Sequence, residues 1–104
     1  MTQNNIQFIF KSNGYYLGFI QNGFLFSRDG VPLGWLEGEY AWDINGKFRG
    51  VVTLNQDHIY ILLNQFAISP LPKPSRIIST NPTLPAPQAN IPAISLPIGW
   101  VDGY

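Results

Sequence analysis

Residues 96–104 read Leu96-Pro97-Ile98-Gly99-Trp100-Val101-Asp102-Gly103-Tyr104, and they echo Val31-Pro32-Leu33-Gly34-Trp35-Leu36-Glu37-Gly38. The earlier copy belongs to a repeat. Asn13-Gly14, Asp29-Gly30 and Asn45-Gly46 recur every sixteen positions, and Gly18, Gly34 and Gly50 keep the same period. Recurrence at a fixed spacing with matching turn chemistry marks repeated supersecondary units. Between the markers lie aromatic and β-branched residues in short alternating runs, which suit strands and are too short for helices.

Asn-Gly and Asp-Gly favour the two-residue type I′ turn, because both central residues need positive φ and the twist then matches the flanking strands. Each marker therefore predicts a hairpin tip, joining residues 6–12 to 15–20, 24–28 to 31–36, and 40–44 to 47–52. A fourth unit is interrupted. His58-Ile59-Tyr60 aligns with Phe8-Ile9-Phe10, Phe24-Leu25-Phe26 and Tyr40-Ala41-Trp42 once two residues are inserted, and the terminal echo supplies its returning strand. Eight of the nine prolines stand at or after Pro70, so residues 67–95 read as a Pro-rich insertion in the fourth hairpin of one domain spanning 1–104.

Counting inward from two-residue tips places Phe8, Phe10, Leu17 and Phe19 on one face, then Phe24, Phe26, Leu33 and Trp35, then Tyr40, Trp42, Arg49 and Val51. The fourth unit adds His58, Tyr60, Ile98 and Trp100, with His58 opposite Trp100. A face this apolar must be buried, and a meander of eight short strands buries it by closing around it, the last strand meeting the first. Gly18, Gly34, Gly50 and Gly99 then fall on the opposite face across from Ile9, Leu25, Ala41 and Ile59, where a ring of glycines permits sharp curvature. The fold expected is all-β: four β-hairpins about a pseudo-four-fold axis, forming a shallow eight-stranded closed meander.

The repeated NG or DG turn, followed by Leu-Gly-Trp-Leu or Leu-Gly-Phe-Ile and a short aromatic strand, resembles the four-fold beta flower family of small bacterial proteins. The resemblance covers residues 6–60 and 98–104. It implies four hairpin petals around a shallow barrel, a Pro-rich stretch late in the chain, and no settled biochemical activity; fold alone would not assign one. Arg49 departs from the apolar residue usual before the glycine and Val51 from the aromatic usual after it, which implies a third petal of different shape.

Six Lys plus Arg balance six Asp plus Glu, and no basic run occurs, which weighs against nucleic-acid binding. Without cysteine there is no disulfide framework, thiolate metal site or cysteine nucleophile, and a cytoplasmic setting fits. No signal peptide is legible, and no apolar run approaches the roughly 18 to 20 residues of a transmembrane segment.

Catalytic constellations are nearly absent: a Ser-His-Asp set could draw on His58, Asp57 and a serine, and a metal on His58 with Asp57 or Asp43, but adjacent strand residues point to opposite faces. His58 is the one histidine, no nucleophile-elbow motif surrounds any serine, the glycines follow the hairpin period instead of a phosphate-binding fingerprint, and no metal-ligand spacing occurs. The expectation is a non-enzymatic binding module without cofactor or metal. The two polar residues on the apolar face, Arg49 and His58, admit two readings. In one, Arg49 snorkels to solvent over Trp42 and His58 is a hydrogen-bonded core residue. In the other they orient a small anionic or aromatic molecule, or a lipid headgroup, at a barrel mouth walled by Trp42, Tyr60 and Trp100. The alternative function is a protein-interaction or self-assembly module, possible as a homo-oligomer, because residues 78–100 carry no charge yet include Ile78, Leu84, Ile91, Ile94 and Leu96. Ile77 through Ile98 are expected to pack along the barrel, to cover one of its ends, or to be buried against a second copy.

Overall fold

The computed structural model describes residues 6–79 and 81–104, and strands are the only regular elements among them. They are β1 (Ile6–Phe10), β2 (Tyr16–Gln21), β3 (Phe24–Ser27), β4 (Pro32–Glu37), β5 (Tyr40–Asp43), β6 (Phe48–Asn55), β7 (His58–Asn64) and β8 (Trp100–Asp102). Each pairs antiparallel with the next, and the ring closes where β7 runs parallel to β1, with Ile9 beside Ile59 and Phe10 beside Tyr60. The molecule measures 41 × 35 × 24 Å, the proportions of a shallow ring. No helix among the described residues is long and apolar enough to cross a membrane.

The closed all-β meander stands, but the closing strand is β7, not the last one. β1 and β8 share one edge of β7 because neither fills it. β1 pairs with two of its seven residues, while β8 takes the far end, Leu62 beside Asp102 and Asn64 beside Trp100. β8 reaches the tip that follows β1 through Asp102, whose carboxylate accepts the Ser12 amide and the Ser12 hydroxyl at 2.7 Å each.

The tips are built differently from the type I′ expectation. Lys11 N–H donates to Tyr15 C=O and Gly14 N–H to Lys11 C=O, at 2.9 and 2.8 Å, and the same pair recurs at Ser27 with Val31 and Gly30, and at Asp43 with Lys47 and Gly46. Only the glycine of each tip has positive φ. This is a three-residue loop, a type I turn followed by a left-handed glycine, with Asp43 and Ser27 side chains accepting the loop amides. Both-positive φ pairs, the type I′ combination, occur at Asn22-Gly23 and Gln56-Asp57, which link petals rather than cap them. Beyond each tip one residue bulges. Phe10 pairs with Tyr16, Phe26 with Pro32 and Trp42 with Phe48, so Leu17, Leu33 and Arg49 drop out of the alternation.

The two faces are the reverse of the expectation. Ile9, Ile20, Leu25, Ala41 and Ile61, from five strands around the ring, form one buried cluster with Leu17, Leu33, Leu36, Val52 and Ile59 packed on it, so the aliphatic face fills the barrel. The aromatic face, including Phe19, Phe26, Trp35, Trp42 and Tyr60, points outward, yet each of these is 2% exposed or less. The interior has room for Ile, Ala and Gly because the glycine-bearing strands lie against their neighbours' backbones. A Cβ added at Gly18, Gly34 or Gly50 would collide with the carbonyl oxygens of Phe26, Trp42 or Leu62. In the fourth petal this role falls to Gly103, whose amide donates to Ile61 C=O at 2.9 Å, and not to Gly99. His58 accordingly pairs with Asn55 and Trp100 with Asn64.

The Pro-rich stretch encircles the barrel as a belt. Leaving the fourth petal, it donates from Lys73 and Arg76 amides to Gly46 and Ile44 carbonyls at the third tip. It then sets Pro82 and Leu84 near Gly30 at the second, with Thr83 N–H on the buried Gln21 Oε1 at 3.0 Å. Finally Ile91 and Ile94 amides donate to Gly14 and Ser12 carbonyls at the first. Ile91, Ile94 and Leu96 pack on Phe10, Tyr16, Tyr60 and Leu62, covering that part of the aromatic face. Ile77 and Ile98, expected to pack as well, are exposed.

Candidate functional site

The five residues expected at a barrel mouth are distributed over different surroundings. Arg49, displaced by its bulge, sets its guanidinium 4.8 Å from the Tyr104 ring centroid and 3.8 Å from the Asp43 carboxylate. Tyr104 in turn packs on the aliphatic cluster and donates its hydroxyl to Trp42 C=O at 3.4 Å. Burial raises the Tyr104 pKa well above the ordinary tyrosine value, the Arg49 charge opposing it and Asp43 adding to it. Trp42 lies under the Lys73 ammonium, 4.9 Å from its ring, and against Phe48. Tyr60 is enclosed beneath the belt, and burial raises its pKa. His58 meets Phe10 edge to face at 5.3 Å. Trp100 is half-buried.

The belt is fastened by cations on aromatic faces. Arg76 stands 4.8 Å from the Trp35 ring, and Lys73 covers Trp42 while its ammonium contacts Glu37 at 3.0 Å. Glu37 also accepts the Trp35 indole N–H at 2.8 Å, and these two hydrogen bonds hold its carboxyl below the usual carboxylate range. A guanidinium or ammonium over an indole supplies about 0.5 to 2 kcal/mol depending on desolvation.

The fourth petal differs from the other three. Its tip keeps the turn, since Ala67 N–H donates to Asn64 C=O and Phe66 N–H to Asn64 Oδ1, as at Asp43. Phe66 therefore stands where the others present Asn13, Asp29 and Asn45, and Ala67 where they have glycine. Phe66, Ile68 and Ile98 are 76%, 99% and 91% exposed, and the Phe66 ring lies over Gly99. No belt segment docks here among the described residues. Sequence reasoning placed Ile98 on the buried face, and it missed Phe66 and Ile68 because the fourth tip was not located. Its signal was the break in the Gly-bearing turn.

Two cavities flank Trp100. One, of about 180 Å3, is lined by Tyr40, Phe48, Val51, Trp100 and the departing belt at 67–70. The other, of about 310 Å3, is lined by Thr53, Asn55, Leu62, Trp100 and the returning belt at 95–97. A larger cleft of about 570 Å3 opens beside β1 between Phe8, Phe10, Asp57, His58 and belt residues Gln88 and Asn90. Trp100 is the one expected site residue at the belt gap, and His58 the one at the cleft.

A family model described as 4-fold beta flower protein matches residues 2–102, and the chain belongs to that family. No curated protein and no solved structure matches the chain.

Proposed function

We propose that the protein is a non-enzymatic interaction module that binds a partner protein through its fourth petal. The observation that carries this reading is the gathering of Phe66, Ile68 and Ile98, most of their surface in water, at the tip where no belt segment docks among the described residues. Apolar side chains concentrated this way mark contact sites more often than isolated exposed residues do. The half-buried Trp100 and its flanking cavities extend the patch with an aromatic anchor of the kind that dominates interface energetics.

The reading is tested by placing a photoreactive phenylalanine analogue at position 66 and, as control, at Asp29 on the second tip, in cells producing the full chain. A discrete adduct from position 66 that disappears on adding Ile98→Ser supports it, whether the adduct is a second copy or another protein. Equal labelling from both positions, or none, counts against it.

The cleft beside β1 supports a second reading, in which a small molecule binds between Phe8 and Asn90 with His58 as a polar contact. A thermal-shift screen of anionic and aromatic metabolites checks it. A shift abolished by His58→Ala supports the reading, and an unchanged melting temperature across the screen removes it.

A further inference from the structure

The belt holds the petals by a recurring device. At the third tip the Lys73 and Arg76 amides donate to Gly46 and Ile44 carbonyls at 2.8 and 2.9 Å, and at the first tip the Ile91 and Ile94 amides donate to Gly14 and Ser12 carbonyls at 2.9 and 2.8 Å. In both cases the donors are three residues apart and bracket an X-Pro-small-X segment, Lys73-Pro74-Ser75-Arg76 and Ile91-Pro92-Ala93-Ile94. Asn81-Pro82-Thr83-Leu84 has the same form and lies at the second tip. Proline occupies a position whose N–H the device does not use, and it pre-orders the extended backbone. The outer residues of each segment then lie on the petal aromatics: Lys73 and Arg76 on Trp42 and Trp35, Ile91 and Ile94 on the Phe10 and Tyr16 cluster.

The belt begins and ends at the fourth petal and leaves a gap over β6 and β7. Val51 and Leu62 are paired neighbours on the outer face, with Thr53 one step further along it. They floor the two cavities, Val51 in the first and Thr53 and Leu62 in the second, while Trp100 lines both. The gap is bounded by Ala67 to Pro70 on one side and Ser95 to Pro97 on the other. Gln65 and Ala67, which correspond to the Ser12 and Gly14 acceptors, have carbonyls that accept no hydrogen bond from the described residues.

We infer that this gap receives an extended X-Pro-small-X segment of a partner protein, which completes the belt across the fourth petal. The inference rests on the reading of that petal as the interaction surface and names the chemistry of what it takes. The partner's proline and its flanking side chains fill the cavities on either side of the Trp100 indole, and its amides reach the Gln65 and Ala67 carbonyls. Recognition of a preformed proline-containing strand on an aromatic surface pays little ordering entropy.

The test titrates the full chain, labelled with 15N, with a synthetic peptide of sequence ANIPAISLP and with a control in which both prolines are alanine. The expected result is a saturable shift of the Trp100 indole N–H and of the Thr53 and Leu62 amides. It weakens about tenfold with the proline-free peptide, a loss of roughly 1.4 kcal/mol. Trp100→Ala abolishes it, and should that variant fail to fold, Thr53→Arg blocks the gap without removing a core side chain. Absence of a saturable shift at about 1 mM peptide, the weak end of specific binding, overturns the inference. So do equal shifts from both peptides, or shifts confined to the first three petals, which report displacement of the protein's own belt. A discrete position-66 adduct without peptide binding would leave the interaction reading standing and remove this one alone.

Discussion

Replacing Asp102 tests how the ring is fastened at the point where β8 meets the tip that follows β1. Its two carboxylate oxygens accept the Ser12 N–H and Oγ–H at 2.7 Å each, across ninety residues of chain. A hydrogen bond to a charged group contributes about 1.5 to 3 kcal/mol, and the lower value applies to this half-buried pair. Asp102→Ala removes both and leaves the Ser12 amide without its partner, so it is expected to cost about 2 to 3 kcal/mol. For a domain of this size that lowers the melting temperature by roughly 10 °C. Ser12→Ala deletes only the hydroxyl bond and costs about 1.5 kcal/mol. Urea denaturation of wild type, both single variants and the double variant completes a double-mutant cycle, with an expected coupling near 1 kcal/mol. Coupling below about 0.3 kcal/mol, within the error of independent sites, would refute the clasp. So would a single-variant Asp102→Ala protein whose melting temperature and amide protection at residues 100–103 match wild type.

Gly46→Ala drives a Cβ into the Lys73 carbonyl at a φ of +84°, whereas Gly23→Ala has the similar φ of +81° and open space around it. Gly23→Ala should therefore cost only the left-handed strain of about 1 to 2 kcal/mol, and Gly46→Ala measurably more, with loss of amide protection at Lys73 and Arg76. Tyr104, raised by burial, favours its neutral form when folded. Its contribution is complete below the ordinary tyrosine pKa of about 10 and is lost as pH rises above it, so Tyr104→Phe should resist alkaline unfolding better than wild type in a pH-jump melting series. Glu37, held low by Trp35 and Lys73, works in the other direction. Its contribution is present above the ordinary carboxylate pKa and fades as pH falls through the depressed one. Acidification should then alter Trp35 fluorescence in wild type and leave Glu37→Gln unchanged over the same range.

The strands, the three Gly-bearing tips and the existence of a fourth petal were legible in the sequence because turn chemistry and strand alternation are local. The candidate surface was only partly legible. Trp100 was named, but for a mouth it does not line; Phe66 and Ile68 were passed over because their petal has no glycine turn to mark it, and Ile98 was expected to be buried but stands exposed. Arg49 was misplaced by one residue's worth of bulge, which sent it to Tyr104 rather than to Trp42. The extra loop residue and the bulge beyond it offset one another, so pairing returns to Ile9 with Gly18, Leu25 with Gly34 and Ala41 with Gly50 and only the bulged residue changes place. The tip words Asn-Gly and Asp-Gly fit both the two-residue and the three-residue loop.

From the chain alone come the period, the hairpins and the two apolar faces of each strand, one aromatic and one aliphatic. Alternation cannot say which of two apolar faces turns inward. The closed ring decides it by volume: around Gly18, Gly34 and Gly50 the neighbouring backbones approach closely, and the inside is filled by Ile, Leu, Val and Ala side chains with Tyr104 packed against them. The indoles and phenyls take the larger outer circumference. An outward aromatic surface must still be kept from water, and that is why the Pro-rich stretch is part of the barrel's packing instead of a linker within its last hairpin.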